Sequence, residues 1–236
     1  MLVIISVRAL PGQQRVTLEA SDGLIVVADS YLVNDTLPWV LMYHQSGSSR
    51  GEFREIAPRF NTLGYNALAV DLRNGREVNF IINETARAAR DGNFRNSMQE
   101  AFSDVIASIQ WAEQQNEKPL ILLGSSYSAS LALMAAGKSS HIKAVIAFSP
   151  GEFFGQRKFV QESLKGLEKP VFIAATERER SYATTLVSEI AGIYKTIFSP
   201  ARCAGVHGAR ALWETEECND EYWLALLLFL NNLKSD

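Results

Sequence analysis

The run Ile121-Leu122-Leu123-Gly124-Ser125-Ser126-Tyr127-Ser128-Ala129-Ser130-Leu131 passes from an apolar segment through a tight turn into small and apolar residues at helical spacing. The apolar segment reads as a buried strand and the spacing after the turn, continued to Ala136, as a helix. A serine on a strand-to-helix turn of this kind is held in a strained backbone conformation with its hydroxyl exposed. The turn brings strand and helix close, so the positions two residues either side of Ser126 must be small. Gly124 and Ser128 meet that need, although the usual pattern has glycine at both. Ser126 is therefore a candidate nucleophile, and the plainer reading is a serine-rich helix N-cap. Backbone N–H groups at a helix start are unpaired and the helix dipole favours negative charge there. An anion forming beside Ser126 would be met by the Tyr127 amide, and a second donor is expected from an earlier loop.

Outward from this turn, strands and helices alternate from about residue 39. Val16–Ala20 and Leu24–Val33, split by Ser21-Asp22-Gly23, read as an antiparallel hairpin. Buried strands are expected at Trp39–His44, Ala67–Leu72, Leu120–Leu123, Ala144–Phe148, Val171–Ala175 and Thr196–Phe198. Helices are expected from Phe53 to Leu63, from Met98 to Ala112, after Ser126, through Tyr182, Leu186 and Ile190, and at Tyr222–Leu233. An antiparallel start followed by repeated βα units implies a mostly parallel sheet with helices on both faces. The site of such a sheet lies beyond the carboxyl ends of its strands. The long polar stretch Arg73–Asn96 reads equally as a partial lid, with Phe80–Ile82 at the mouth, and as a surface excursion with a short helix near Glu84–Arg90.

Composition is that of an ordinary globular protein of 236 residues, 47% hydrophobic and 21% charged, enough for one α/β domain over 1–236. A formal net charge of −3 gives no reason to expect nucleic acid or an anionic membrane as partner. The apolar start Met1–Ile5 is too short for a secretory signal and reads as a strand, so a cytoplasmic location is expected. Tyr222–Leu230 is too short to span a bilayer. Cys203 and Cys218 flank a C-terminal loop and read as free thiols in preference to one bridge. No metal or cofactor is implied, and oligomeric state is not readable.

A serine nucleophile needs a base and a group to orient it. The chain has three histidines. His207, in Gly205-Val206-His207-Gly208, follows the last strand between small neighbours and is the expected base. His141 is explained by a contact at a helix C-terminus, and His44 is expected to shape the oxyanion loop. The orienting acid should follow the strand after Val145–Phe148. We rank Glu179 first, then Glu177, then Glu152. The second oxyanion donor is expected from Gln45-Ser46-Gly47-Ser48-Ser49-Arg50-Gly51, as the amide of Gln45 in preference to Ser46.

These residues resemble the α/β-hydrolase superfamily and, within it, small enzymes like dienelactone hydrolase. The likeness runs from about Leu24 to the C-terminus. It is carried by His44–Gly51, by Leu63-Gly64-Tyr65 through Asp71-Leu72-Arg73, by Gly124–Ser128, by Lys169-Pro170-Val171 and by Gly205–Gly208. The resemblance implies an eight-stranded hydrolase sheet and a triad of Ser126, acid and His207, in the chain order Ser, acid, His. It also implies an acid nine residues after the proline of Lys-Pro-Val, where Glu179 stands. Three departures stand out: serine where dienelactone hydrolases use cysteine, Ser128 where glycine is usual, and Gln45 where many relatives have glycine. The expected activity is acyl transfer on a small-molecule ester, thioester or related acyl compound. The alternative is a hydrolase-fold protein that binds a ligand without turnover.

Overall fold

The computed structural model describes residues 12–235; the strand expected at Met1–Ile5 lies outside them. The predicted hairpin is formed by β1 (Gln13–Glu19) and β2 (Ile25–Tyr31), paired antiparallel. β3 (Trp39–Tyr43) leads through a 3-10 turn at Arg50–Phe53 to α1 (Ile56–Thr62), and β4 (Asn66–Val70) follows. Next come the short hairpin β5 (Glu77–Val78) and β6 (Ile81–Ile82), then α2 (Glu84–Asp91) and α3 (Phe102–Gln115). The second half runs β7 (Leu120–Ser125), α4 (Tyr127–Ala135), β8 (Ile142–Phe148), α5 (Phe159–Ser163) and β9 (Val171–Ala174). It closes with α6 (Arg180–Leu186), β10 (Lys195–Phe198) and α7 (Asn219–Ser235). α6 stops at Leu186, so Ile190, expected on its face, lies beyond it.

The main sheet has eight strands in the order β1-β2-β4-β3-β7-β8-β9-β10. β2 pairs antiparallel with β4, and the strands from β4 to β10 run parallel. This is the predicted α/β-hydrolase architecture. Strands covered on both faces must be apolar along their whole length, which is why β3, β7 and β8 read as continuous apolar runs. Alternate residues serve opposite faces. Trp39, Leu41 and Tyr43 of β3 join a core with α2, α3, α4, α5 and α6, whereas Val40 and Met42 join one with α1 and α7. No helix among the described residues is long and apolar enough to cross a membrane.

The excursion Arg73–Asn96 is anchored at the turn Arg50–Phe53. Asn79 Nδ2 donates to Gly51 O at 3.0 Å and Ser49 Oγ donates to Ile81 O at 2.6 Å. The turn between β5 and β6 places Asn79 and Phe80 at positive φ, and the Phe80 ring is 93% exposed. α2 is capped by Asn83, whose side chain accepts from the Ala86 N–H at 2.7 Å. Cys203 and Cys218 are joined by a disulfide with their Cα atoms 6.3 Å apart, which corrects the expectation of two free thiols. The segment between them folds back on itself and brings the two sulfurs together.

Candidate active site

Ser126 sits between β7 and α4 with φ 60° and ψ −122°, the strained conformation that the turn predicts. Its N–H donates to Phe148 O at 2.8 Å, and its carbonyl accepts from Ala129 N–H at 3.0 Å. Gly124 is required here: a Cβ on it would lie 2.4 Å from Ser128 O and Ala129 Cα. Ser128, the departure from glycine, is accommodated by its hydroxyl. Its Oγ donates to Tyr43 O at 2.7 Å and accepts from the Ser125 N–H at 2.9 Å, tying the turn to β3.

His207 stands between Gly205 and Gly208, both at positive φ. Its Nε2 lies 2.8 Å from Ser126 Oγ, and its Nδ1 lies 2.5 Å from Glu179 Oε1. A carboxylate accepts only, so the ring proton sits on Nδ1 and the Nε2 lone pair faces the Ser126 hydroxyl. The other Glu179 oxygen accepts from Ser149 Oγ at 2.7 Å and from the Thr176 N–H at 3.1 Å. Partial burial pushes the Glu179 carboxyl up, but the hydrogen bonds from His207, Ser149 and Thr176 outweigh it and hold its pKa down to about 2. Ser149 Oγ also accepts from the Gly208 N–H at 3.0 Å, which joins the acid to the His207 segment.

The other two carboxylates lie elsewhere. Glu152 caps α5, accepting from Val160 N–H at 2.8 Å and Gln161 N–H at 2.9 Å. Glu177 is exposed, and its main-chain N–H donates to Ala204 O. His141 faces Glu113 on the surface, 3.3 Å away.

Tyr127 opens α4, so its N–H has no partner within the helix and stands directly after Ser126. The first choice made on sequence for the second donor, the Gln45 amide, already has a partner. The Gln45 N–H is taken by Glu52 Oε2 at 2.9 Å and cannot meet an oxyanion. The next amide, Ser46, has no hydrogen-bond partner among the described residues. The Gln45–Ser46 peptide that carries it is fixed from its carbonyl side, where Gln45 O accepts from His44 Nδ1 at 2.8 Å and from the Ser48 N–H at 3.2 Å. Beside it, Ser46 Oγ donates to Asn74 Oδ1 at 3.0 Å and Tyr127 Oη donates to Asn74 O at 3.3 Å. A polar cavity of about 480 Å³ opens there, lined in part by Ser46, Gly47, Asn74, Arg76 and Arg90.

His44 is fully buried. Its Nε2 accepts from the Leu72 N–H at 2.9 Å and from Asn83 Nδ2 at 3.0 Å, so a proton there would point at two donors. Burial lowers its pKa from 6.5 to about 4, outweighing the hydrogen bonds to Gln45 and Leu72. Between these values the unfolded chain binds a proton that the folded chain does not. The stability tied to neutral His44 is therefore complete above about pH 6.5 and declines as pH falls towards 4. In urea unfolding, the advantage of wild type over His44→Gln is expected to shrink by about 2 kcal/mol from pH 7 to pH 5. A pH-independent difference would show that His44 is not held neutral.

A sequence profile of the dienelactone hydrolase family matches residues 26–196, a span that includes Ser126 and Glu179 and ends before His207. No curated protein matches the chain. Among solved structures, an esterase from Pyrococcus furiosus superposes with a TM-score of 0.68 at 16% identity, over 94% of this chain and 92% of that one. A dienelactone hydrolase from Anabaena variabilis gives 0.68 at 16% identity, over 94% and 96%. An esterase from Pyrobaculum calidifontis gives 0.67 at 14%, over 96% and 87%. At such identities these structures establish the shared fold.

Proposed function

The chain belongs to the dienelactone hydrolase family of ester-hydrolysing enzymes, and on that premise we propose that it is a serine hydrolase acting on small esters or thioesters through an acyl-enzyme. The observation that carries this reading is the unbroken line from Ser126 Oγ to His207 Nε2, 2.8 Å, and from His207 Nδ1 to Glu179 Oε1, 2.5 Å. Ser126 Oγ attacks the acyl carbonyl as His207 Nε2 takes its proton. The oxygen of the tetrahedral intermediate is received by the Tyr127 and Ser46 amides. His207 then gives the proton to the leaving group. A water molecule, deprotonated by the same nitrogen, releases the acid. Glu179 keeps the ring in the required tautomer and stabilises the imidazolium.

The reading is tested by turnover of p-nitrophenyl and thioester substrates of increasing acyl length, together with inactivation by a fluorophosphonate. Turnover of short acyl substrates and inactivation at one equivalent are expected. Absence of both would leave a ligand-binding protein without turnover.

In the same reading, Arg73–Asn96 is a partial lid whose base at Asn74 lies beside Ser46 and Tyr127. Because the Phe80 ring is 93% exposed, Phe80→Ala is expected to change stability by no more than about 0.5 kcal/mol. It is expected to lower kcat/KM for octanoyl but not acetyl esters, by roughly 10-fold at most. An equal change at every acyl length with a lower Tm would make the hairpin structural only.

A further inference from the structure

Glu52 is fully buried, and the mechanism above does not use it. Burying a carboxyl is costly unless its oxygens are met, and an apolar side chain would fill the same space without that cost. Here both oxygens are met by the segments that build the site. Oε2 accepts from the Gln45 N–H at 2.9 Å, one peptide before the Ser46 amide. Oε1 accepts from Ser125 Oγ at 2.6 Å, one residue before the nucleophile. Ser125 Oγ in turn accepts from the Ala209 N–H at 2.8 Å, two residues past His207. The space is tight, since a Cβ on Gly208 would lie 2.7 Å from Ser125 Oγ. Glu52 is itself fixed at its main chain. Its N–H donates to Ser49 O at 3.0 Å, and its carbonyl accepts from Trp213 Nε1 at 2.8 Å.

We propose that Glu52 is a positioning residue for acyl transfer, which sets the Ser46 amide, the Ser126 turn and the His207 segment at their working separation. The inference rests on the reading of Ser126 as nucleophile. Glu52 holds the N–H of Gln45 while His44 holds its carbonyl. The two peptide planes on either side of Gln45 are thereby fixed, and with them the direction of the Ser46 N–H. A donor aimed in advance at the developing oxyanion acts mainly on the transition state, so losing its aim should appear in kcat more than in KM.

The test uses the full chain with p-nitrophenyl butyrate and a fluorophosphonate. In Glu52→Gln the amide oxygen can still accept from the Gln45 N–H, but an NH2 group replaces the acceptor that faces Ser125. The Ser125 hydroxyl must then turn. We expect kcat to fall by about 10² with KM within about 3-fold, since shifting the Ser126 turn by roughly 1 Å from its base and its oxyanion donors costs this order. Ser125→Ala removes the same link from the other side and is expected to lower kcat by roughly 10-fold. The double variant should be no slower than about the worse single one, because both act through one contact. Wild-type kcat in folded Glu52→Gln, or losses that only track Tm, would overturn the assignment. Should Glu52→Gln not fold, Ser125→Ala decides alone, and an unchanged kcat overturns it. Wild type that resists the fluorophosphonate would sink the Ser126 reading itself. Wild type that is inactivated, alongside Glu52→Gln inactivated at the same rate, would sink only the role of Glu52.

Discussion

Ser126→Ala is expected to abolish ester turnover while the protein stays folded, with kcat falling by about 10⁴ to 10⁶. The size follows from what the hydroxyl does. In the proposed mechanism it is the atom that bonds to the substrate, and it lies 2.8 Å from the only histidine nitrogen aimed at it among the described residues. The fold should survive because neither main-chain bond of the turn uses the side chain. Ser126 N–H to Phe148 O and Ala129 N–H to Ser126 O both remain. Steady-state kinetics with circular dichroism and Tm on the same preparation check this. A folded Ser126→Ala protein that keeps even a tenth of wild-type kcat would end the mechanism.

The second large effect is expected at Glu179. Glu179→Gln keeps the shape of the side chain but allows an NH2 group to face His207 Nδ1, which favours the wrong tautomer; a loss of about 10⁴ in kcat is expected. The same change at Glu177, an exposed residue, should leave kcat near wild type. At Glu152 it should weaken the cap on α5 and so act on stability first. Because hydrogen bonding holds the Glu179 pKa down to about 2, protonation of this carboxylate should not cause a fall in activity between pH 6 and 4. A larger kcat loss from Glu177→Gln or Glu152→Gln than from Glu179→Gln would refute the assignment.

Which features were legible in the chain depends on how local their causes are. The Ser126 turn is local: the small residues at Gly124 and Ser128 and the apolar strand before them are adjacent in sequence, so the strained φ could be anticipated. The contact of His207 with Ser126 could be anticipated because the chain has three histidines and only this one lies between glycines after the last strand. The central strands announced themselves as apolar runs because both faces of the sheet are covered there, whereas β1, exposed along most of its length, was legible only through its turn with β2. The contact that occupies the Gln45 amide could not be read from the chain. The two peptides around Gln45 are held by Glu52, 7 residues on, and by the His44 ring, and neither contact leaves a mark in the loop's own composition. Glu52 itself was illegible. In Arg50-Gly51-Glu52-Phe53-Arg54-Glu55 it looks like one more surface charge, and only the folded chain sets it under the Ser126 turn. Nothing local marks Ser149, directly after the Ala144–Phe148 run, because its contact with Glu179 spans 30 residues. The pairing of Cys203 with Cys218 likewise depends on how the intervening segment folds back.

Four serines, at 125, 126, 128 and 130, crowd this one turn and helix start, so the central claim comes down to which hydroxyl becomes acylated. Ser125, Ser128 and Ser130 each donate to a buried acceptor, respectively Glu52 Oε1, Tyr43 O and Gly151 O. Ser126 alone of the four faces an imidazole nitrogen. The most direct measurement is peptide mapping by mass spectrometry after reaction with a fluorophosphonate, on wild type and on Ser126→Ala. The account predicts one adduct per chain in wild type, on Ser126, and none in the variant. An adduct on Ser125, Ser128 or Ser130 in wild type, or an undiminished adduct in Ser126→Ala, would contradict it.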